Sequence, residues 1–215
     1  MSSSWLWKRR PRSSREGDAD AGNGGMRPVT AISLVVALAA AVLIVLTERE
    51  QPRPPEELNA IASGPAALVV YHPGLSDFPD SVVRAFAGGL AERGWRVRIA
   101  SASRKTPVDL SQFQLVVLAS PVYWWMPARP LTNYVRRVGD LGGRPTVVLL
   151  TAAGQGDRAL DVMRRLVERR NGHIKRALVL YTMRPNDEAR ISKVPNRTIA
   201  LELAHAAGAA IPPSR

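Results

Sequence analysis

The sequence predicts an α/β domain on a parallel sheet, preceded by one transmembrane helix. Five short apolar runs, 66–71, 95–100, 115–120, 146–151 and 176–181, are continuous rather than alternating, as strands buried on both faces require. Helix-period segments recur between and after them at 81–93, 131–138, 158–169 and 197–207. Strands that alternate with helices imply βαβ crossovers and a parallel sheet. The third observation is an apolar stretch with no charge between Pro28 and Thr47.

Taken in chain order, residues 1–27 are rich in Ser, Arg, Gly and Asp with almost no apolar periodicity, which predicts a disordered basic tail. Residues 28–47 are apolar on every face, and at about 1.5 Å rise per residue they match the roughly 30 Å hydrocarbon core of a bilayer. A removable signal peptide has a shorter apolar region and small residues at a cleavage site. Here Thr47-Glu48-Arg49-Glu50-Gln51 follows, so a retained single span is the expectation. Six basic residues precede the span and few follow it, which places the amino end in the cytoplasm and the globular part outside. Residues 48–65 carry Pro52, Pro54, Pro55 and Pro65 and read as a semi-rigid tether. The α/β domain occupies 66–210. Between residues 100 and 115 there is little room for a helix, so that crossover is expected to be irregular.

Composition excludes several chemistries. There is no cysteine, hence no disulfide, thiolate metal site or Cys nucleophile. His72, His173 and His205 show no metal-ligand spacing. No Ser/His/Asp or paired-carboxylate arrangement stands out for hydrolysis. Most of the net charge of +12 lies in the globular part, where arginines are spread over every segment. Such a surface suits anionic membranes or nucleic acid, but it is also what an Arg-rich solvated face looks like, and no nucleic-acid module accompanies it.

Three segments bring the chain close to a known family. Val70-Tyr71-His72-Pro73-Gly74-Leu75-Ser76-Asp77-Phe78 ends a strand in a Gly/Pro turn and opens a helix. Val117-Leu118-Ala119-Ser120-Pro121-Val122-Tyr123-Trp124-Trp125-Met126-Pro127 ends a strand in a run of aromatics. Thr151-Ala152-Ala153-Gly154-Gln155-Gly156 follows the fourth apolar run, with Asp157 read as the N-cap of the next helix. Together they resemble the flavodoxin family and its quinone-reductase relatives, over half of the chain. The resemblance implies a five-stranded parallel sheet in the order 2-1-3-4-5, with a ligand crevice beyond the carboxyl ends of the first and third strands. It implies FMN as cofactor and an electron-transfer role with a redox partner protein or NAD(P)H. It assigns Gly74, Leu75, Ser76, Asp77 and Phe78 to the phosphate loop. Pro121, Val122, Tyr123, Trp124 and Trp125 would lie against the flavin ring, and Thr151, Ala152, Gly154 and Gly156 would form its third wall.

The phosphate loop departs from the family pattern. Pro73 stands at a hydroxyl position and removes an N–H donor, Leu75 and Phe78 replace two more hydroxyl residues, and Asp77 adds a carboxylate beside the anion. Gly74 and Ser76 remain, and Arg104 and Lys105 are basic groups within sequence reach. Two readings stay open: an FMN-binding electron carrier at a membrane, or a flavodoxin-like scaffold without cofactor that serves as a binding or assembly module there. In the second, Asp77 or Asp80 simply caps a helix, and the aromatics plug the crevice or rest at lipid headgroups.

Overall fold

A computed structural model describes residues 28–213. The disordered tail expected at 1–27 lies outside the described residues. These fall into two units divided between Ala39 and Ala40.

The chain begins with α1 (Pro28–Glu48), a 21-residue helix apolar on all sides. It is the one described helix long and apolar enough to cross a membrane, a test that a signal sequence or a core helix also passes. The second unit alternates as the sequence predicts: β1 (Glu56–Leu58), β2 (Ala66–Tyr71), α2 (Phe78–Glu92), β3 (Arg96–Ser101), β4 (Leu115–Tyr123), β5 (Met126–Pro127), α3 (Arg129–Val138), β6 (Pro145–Ala152), α4 (Asp157–Arg169), β7 (His173–Tyr181) and α5 (Asn196–Ala209). No helix interrupts residues 102–114.

The sheet runs β1-β3-β2-β4-β6-β7, with β5 paired to β4. The five parallel strands β3-β2-β4-β6-β7 stand in the order 2-1-3-4-5. The sheet nevertheless has seven strands, not five. One addition is β1, antiparallel to β3 through Glu56↔Ile99 to Leu58↔Val97. It lies in the segment expected as tether, where the nine residues between Pro55 and Pro65 leave room for an edge strand.

Alternation along the buried strands divides the core into two layers. Ala67, Val69, Val117 and Leu149 face α2 and α5, with Val82, Phe86 and Ala204. Leu68, Val70, Val116 and Leu118 face α3 and α4, with Leu131, Tyr134 and Met163. Helices α2 and α5 meet closely because they meet at glycines. A Cβ on Gly89 would come within 2.1 Å of the His205 carbonyl oxygen, and one on Gly208 within 2.1 Å of that of Phe86. Backbone cannot yield as a flexible side chain does. Gly208→Ala is therefore expected to destabilise the domain by about 1–3 kcal/mol, the usual cost of overpacking. Urea unfolding of the full chain checks this, and an unchanged midpoint would remove the close-packing account.

Candidate functional site

Register sets the site. Tyr71, the last residue of β2, pairs with Ala119, so β4 continues for Ser120, Pro121, Val122 and Tyr123 beyond its neighbour. On the other side Pro121 still pairs with Thr151 of β6. The projecting end of β4 thus forms a wall above the loop that leaves β2. Ser120 fixes it: its hydroxyl donates to the Pro121 carbonyl (2.8 Å) and accepts the Ala128 N–H (2.9 Å).

Beyond the wall the chain reverses in a two-residue hairpin, with Tyr123 opposite Met126 and Val122 opposite Pro127. Trp124 (φ 51°) and Trp125 (φ 61°) are both left-handed, as a type I′ hairpin demands. Asn-Gly adopts that turn without strain. Bulky residues held there cost of order 1–3 kcal/mol each, and such strain clusters at functional sites. The indoles are 53% and 55% exposed. Trp125 is held by its Nε1–H, which donates to Gln155 Oε1 at 2.7 Å.

The loop after β2, expected from the sequence to hold a phosphate, follows a different logic from that reading. Gly74 takes φ 79°, and a Cβ there would meet the Tyr123 hydroxyl at 2.8 Å and the Pro121 ring at 3.2 Å. The Leu75 N–H donates to that hydroxyl (2.9 Å), so a phenol oxygen holds the donor that an anion would use. Phe78 and Pro79 are buried beneath the first turn of α2, whereas Leu75, Ser76 and Asp77 are exposed. Asp77 occupies the N-cap position, yet its side chain makes no cap hydrogen bond. Arg197 of α5 takes it instead, through two N–H bonds of 2.6 and 3.0 Å, and also reaches Ser81 Oγ at 2.8 Å. This guanidinium holds the Asp77 carboxyl below its ordinary range. The carboxylate is thus neutralised where the sequence left it opposed to an anion. The Arg104 N–H donates to Glu50, and Lys105 lines a separate hollow beside Pro52 and Pro107.

The third wall is open and small. Asp157 is not the N-cap of α4: Gly156 holds that position, and Asp157 sits in the first turn, where its charge suits the helix dipole. A Cβ on Gly156 would strike the Val179 side chain at 2.4 Å, which gives that glycine a packing role. Three hollows lie along this rim. One, of about 230 Å³, is bounded by Ser76, Phe78, Pro121, Tyr123, Thr151 and Ala152. The next, of about 300 Å³, is bounded by Val122, Trp124, Trp125, Ala153 and Gly154. The third, of about 350 Å³, continues past Trp125 to Gly156, Arg158 and Arg184. All fourteen sequence-predicted residues therefore gather at one rim. Arg197 and Gln155 join them, and neither carries a local signal, because each acts across distant parts of the chain.

The end of α1 also belongs to this rim. Thr47 O lies 3.1 Å from Nε2 of the buried His72, and the Glu48 carboxylate accepts the Arg129 N–H at 2.7 Å. Glu50 accepts the Arg104 N–H (3.0 Å), Gln51 Nε2 donates to the Gly74 carbonyl (3.2 Å), and the Arg53 N–H donates to Ser101 Oγ (2.8 Å). Residues 47–53 form a strap across the carboxyl ends of β2 and β3. His72 has a clear consequence for stability. Since a carbonyl only accepts, Nε2 carries the proton, and Nδ1 is buried without a partner. Burial lowers the imidazole from its ordinary 6.5, although the Thr47 bond pulls the other way. A base whose folded pKa is depressed contributes stability that is complete above the unfolded value and declines as pH falls below it. Thermal unfolding of the full chain from pH 7 to pH 5 should show a fall in Tm that His72→Gln flattens. An identical slope in the two proteins would contradict it.

No family model and no curated protein matches the sequence. Solved structures do match the fold. A flavodoxin from Megasphaera elsdenii in its two-electron reduced form aligns at TM-score 0.52 with 16% identity, over 67% of this chain and 99% of the other. An NAD(P)H:quinone oxidoreductase from Methanothermobacter marburgensis aligns at 0.50 with 18% identity, over 69% and 99%. A flavodoxin from the domain Archaea aligns at 0.50 with 11% identity, over 66% and 96%. At such identities the likeness is one of architecture: this chain has the flavodoxin-like fold.

Proposed function

We propose that this chain is a membrane-anchored flavodoxin-like protein that binds FMN at the carboxyl rim of β2, β4 and β6 and passes electrons between a donor and a redox partner. The observation that carries the reading is the crevice itself. An aromatic wall held in strained backbone stands opposite a helix N-terminus, with hollows between them of the size small-molecule sites occupy. The solved flavodoxins and the quinone oxidoreductase of the same architecture lend it support.

The residues fit the group in two parts. Val122, Tyr123, Trp125 and the backbone of 152–155 would hold the ring, where stacking against indole excludes water. Ser76, the first-turn N–H groups of α2 and the Arg197 guanidinium would hold the phosphate. Two contacts must yield for that. Tyr123 gives up the Leu75 N–H, and Arg197 turns from Asp77 to the anion. The flavin, when bound, supplies the electron chemistry, and the protein supplies position and polarity. These two contacts favour a second reading, a cofactor-free scaffold in which they keep the loop closed.

Titration of the full chain with FMN separates the two, read by flavin fluorescence quenching and visible absorbance. The first reading predicts saturable binding. It further predicts that Asp77→Asn tightens binding by roughly threefold, the scale of an exposed ion pair, and that Arg197→Ala weakens it. No quenching at any concentration would leave only the scaffold.

The anchor reading rests on the length and composition of α1 and on the chain that follows it. The six basic residues before the span support a domain outside the cytoplasm. A reporter active only in the cytoplasm, fused to the C-terminus, should be silent, and its activity would reverse that orientation.

A further inference from the structure

Outside α1, eight large apolar side chains are exposed among the described residues. Ile61, Val108 and Ile191 stand apart. The other five, Leu75, Trp124, Trp125, Met126 and Met183, lie in the β4–β5 hairpin or in loops at the carboxyl rim of the sheet. Hydrogen bonds hold the segments that carry them to this rim. The Leu75 N–H binds the Tyr123 hydroxyl, Tyr123 faces Met126 across the hairpin, and the Met183 N–H donates to the Ala153 carbonyl at 2.8 Å. Such clustering on one edge marks an interaction surface rather than scattered exposure.

What covers it is indicated by the strap. Thr47 and Glu48, the last residues of α1, are bonded to His72 and to the Arg129 N–H, and Arg129 lies three residues beyond Met126. The apolar helix therefore ends at the same rim that carries the exposed indoles, with no slack chain between. Exposed Arg158 and Arg184 line the hollow beside Trp125, and exposed Arg129, its guanidinium 4.0 Å from the Glu48 carboxylate, follows the hairpin. The carboxylates of Glu48, Glu50, Asp77 and Asp80 are each engaged by a hydrogen bond within the domain. Apolar tips flanked by arginines, beside carboxylates that, Asp157 apart, are engaged within the domain, are complementary to an anionic lipid surface, where Trp is favoured at the headgroup level.

We propose that the Trp124–Trp125 hairpin and its basic rim dock on an anionic phospholipid surface, a second membrane contact beside α1 that turns the crevice mouth toward the bilayer. It deepens the anchor reading and rests on it, and it is independent of FMN. Trp125, fixed by Gln155, walls the crevice, while Trp124, Leu75 and Met126 form the outer contact.

The absence of cysteine makes the test direct. Met126→Cys gives the full chain one thiol while both tryptophans stay, and Ile61→Cys, fully exposed before β2, gives a reference at the opposite edge. Each protein, labelled with a polarity-sensitive fluorophore, is reconstituted in vesicles of phosphatidylcholine with or without phosphatidylglycerol. Flotation reports incorporation. The expected result is a blue-shifted label at 126 in phosphatidylglycerol vesicles, quenched by shallow spin-labelled lipid about twofold or more above the label at 61. Arg129→Glu with Arg184→Glu should abolish the difference between the two lipids. Incorporated protein whose label at 126 is as open to aqueous iodide as that at 61 overturns the docking and leaves the anchor standing. Equal burial in both lipids overturns the anionic specificity. Failure to float overturns anchor and docking together, and it leaves the FMN titration untouched.

Discussion

The stagger between β2 and β4 is the constraint on which the rest depends. Parallel pairing aligns Tyr71 with Ala119, and the partner then runs four residues further to Tyr123. Both strands are buried on both faces, so a slip of one residue would exchange the two core layers and is strongly opposed. The overhang is therefore fixed by the whole core. It gives the molecule a crevice with one tall wall, and it brings a phenol from position 123 onto an amide at position 75.

Around that crevice the chain tolerates features that folding alone does not favour. Two consecutive tryptophans take left-handed backbone, and a histidine is buried with one ring nitrogen unpartnered. An exposed aspartate at a helix start is bound by an arginine 120 positions away rather than used as a cap. Each departs from local preference, and all lie at one edge of the sheet. Departures of this kind gather where function has competed with stability.

Much of this was legible in the sequence. Continuous apolar runs and helix-period segments gave the alternating strands and helices, because burial on two faces leaves a local pattern. The strand order and the aromatic run from Pro121 through Trp125 came from the resemblance to the flavodoxin family. What escaped was long-range. Arg197 reads as an ordinary helix residue until folding sets it against Asp77, and the hydroxyl of Tyr123 carries no mark of its bond to Leu75. Residues 48–65 read as tether because prolines discourage regular structure, but Pro only excludes a central strand. An edge strand at Glu56–Leu58 and side-chain bonds from 50, 51 and 53 remain open to it.

In the proposed flavin site the Leu75 N–H would pass from one partner to another, from the Tyr123 hydroxyl to an incoming anion. The backbone amide of Leu75 reports directly on which is bound. In a ¹⁵N-labelled sample of the full chain in lipid nanodiscs, added FMN should move the Leu75 amide proton strongly downfield, as a charge-assisted bond to phosphate requires. A Leu75 resonance that stays in place while FMN is in excess would contradict the account of the crevice as a flavin site.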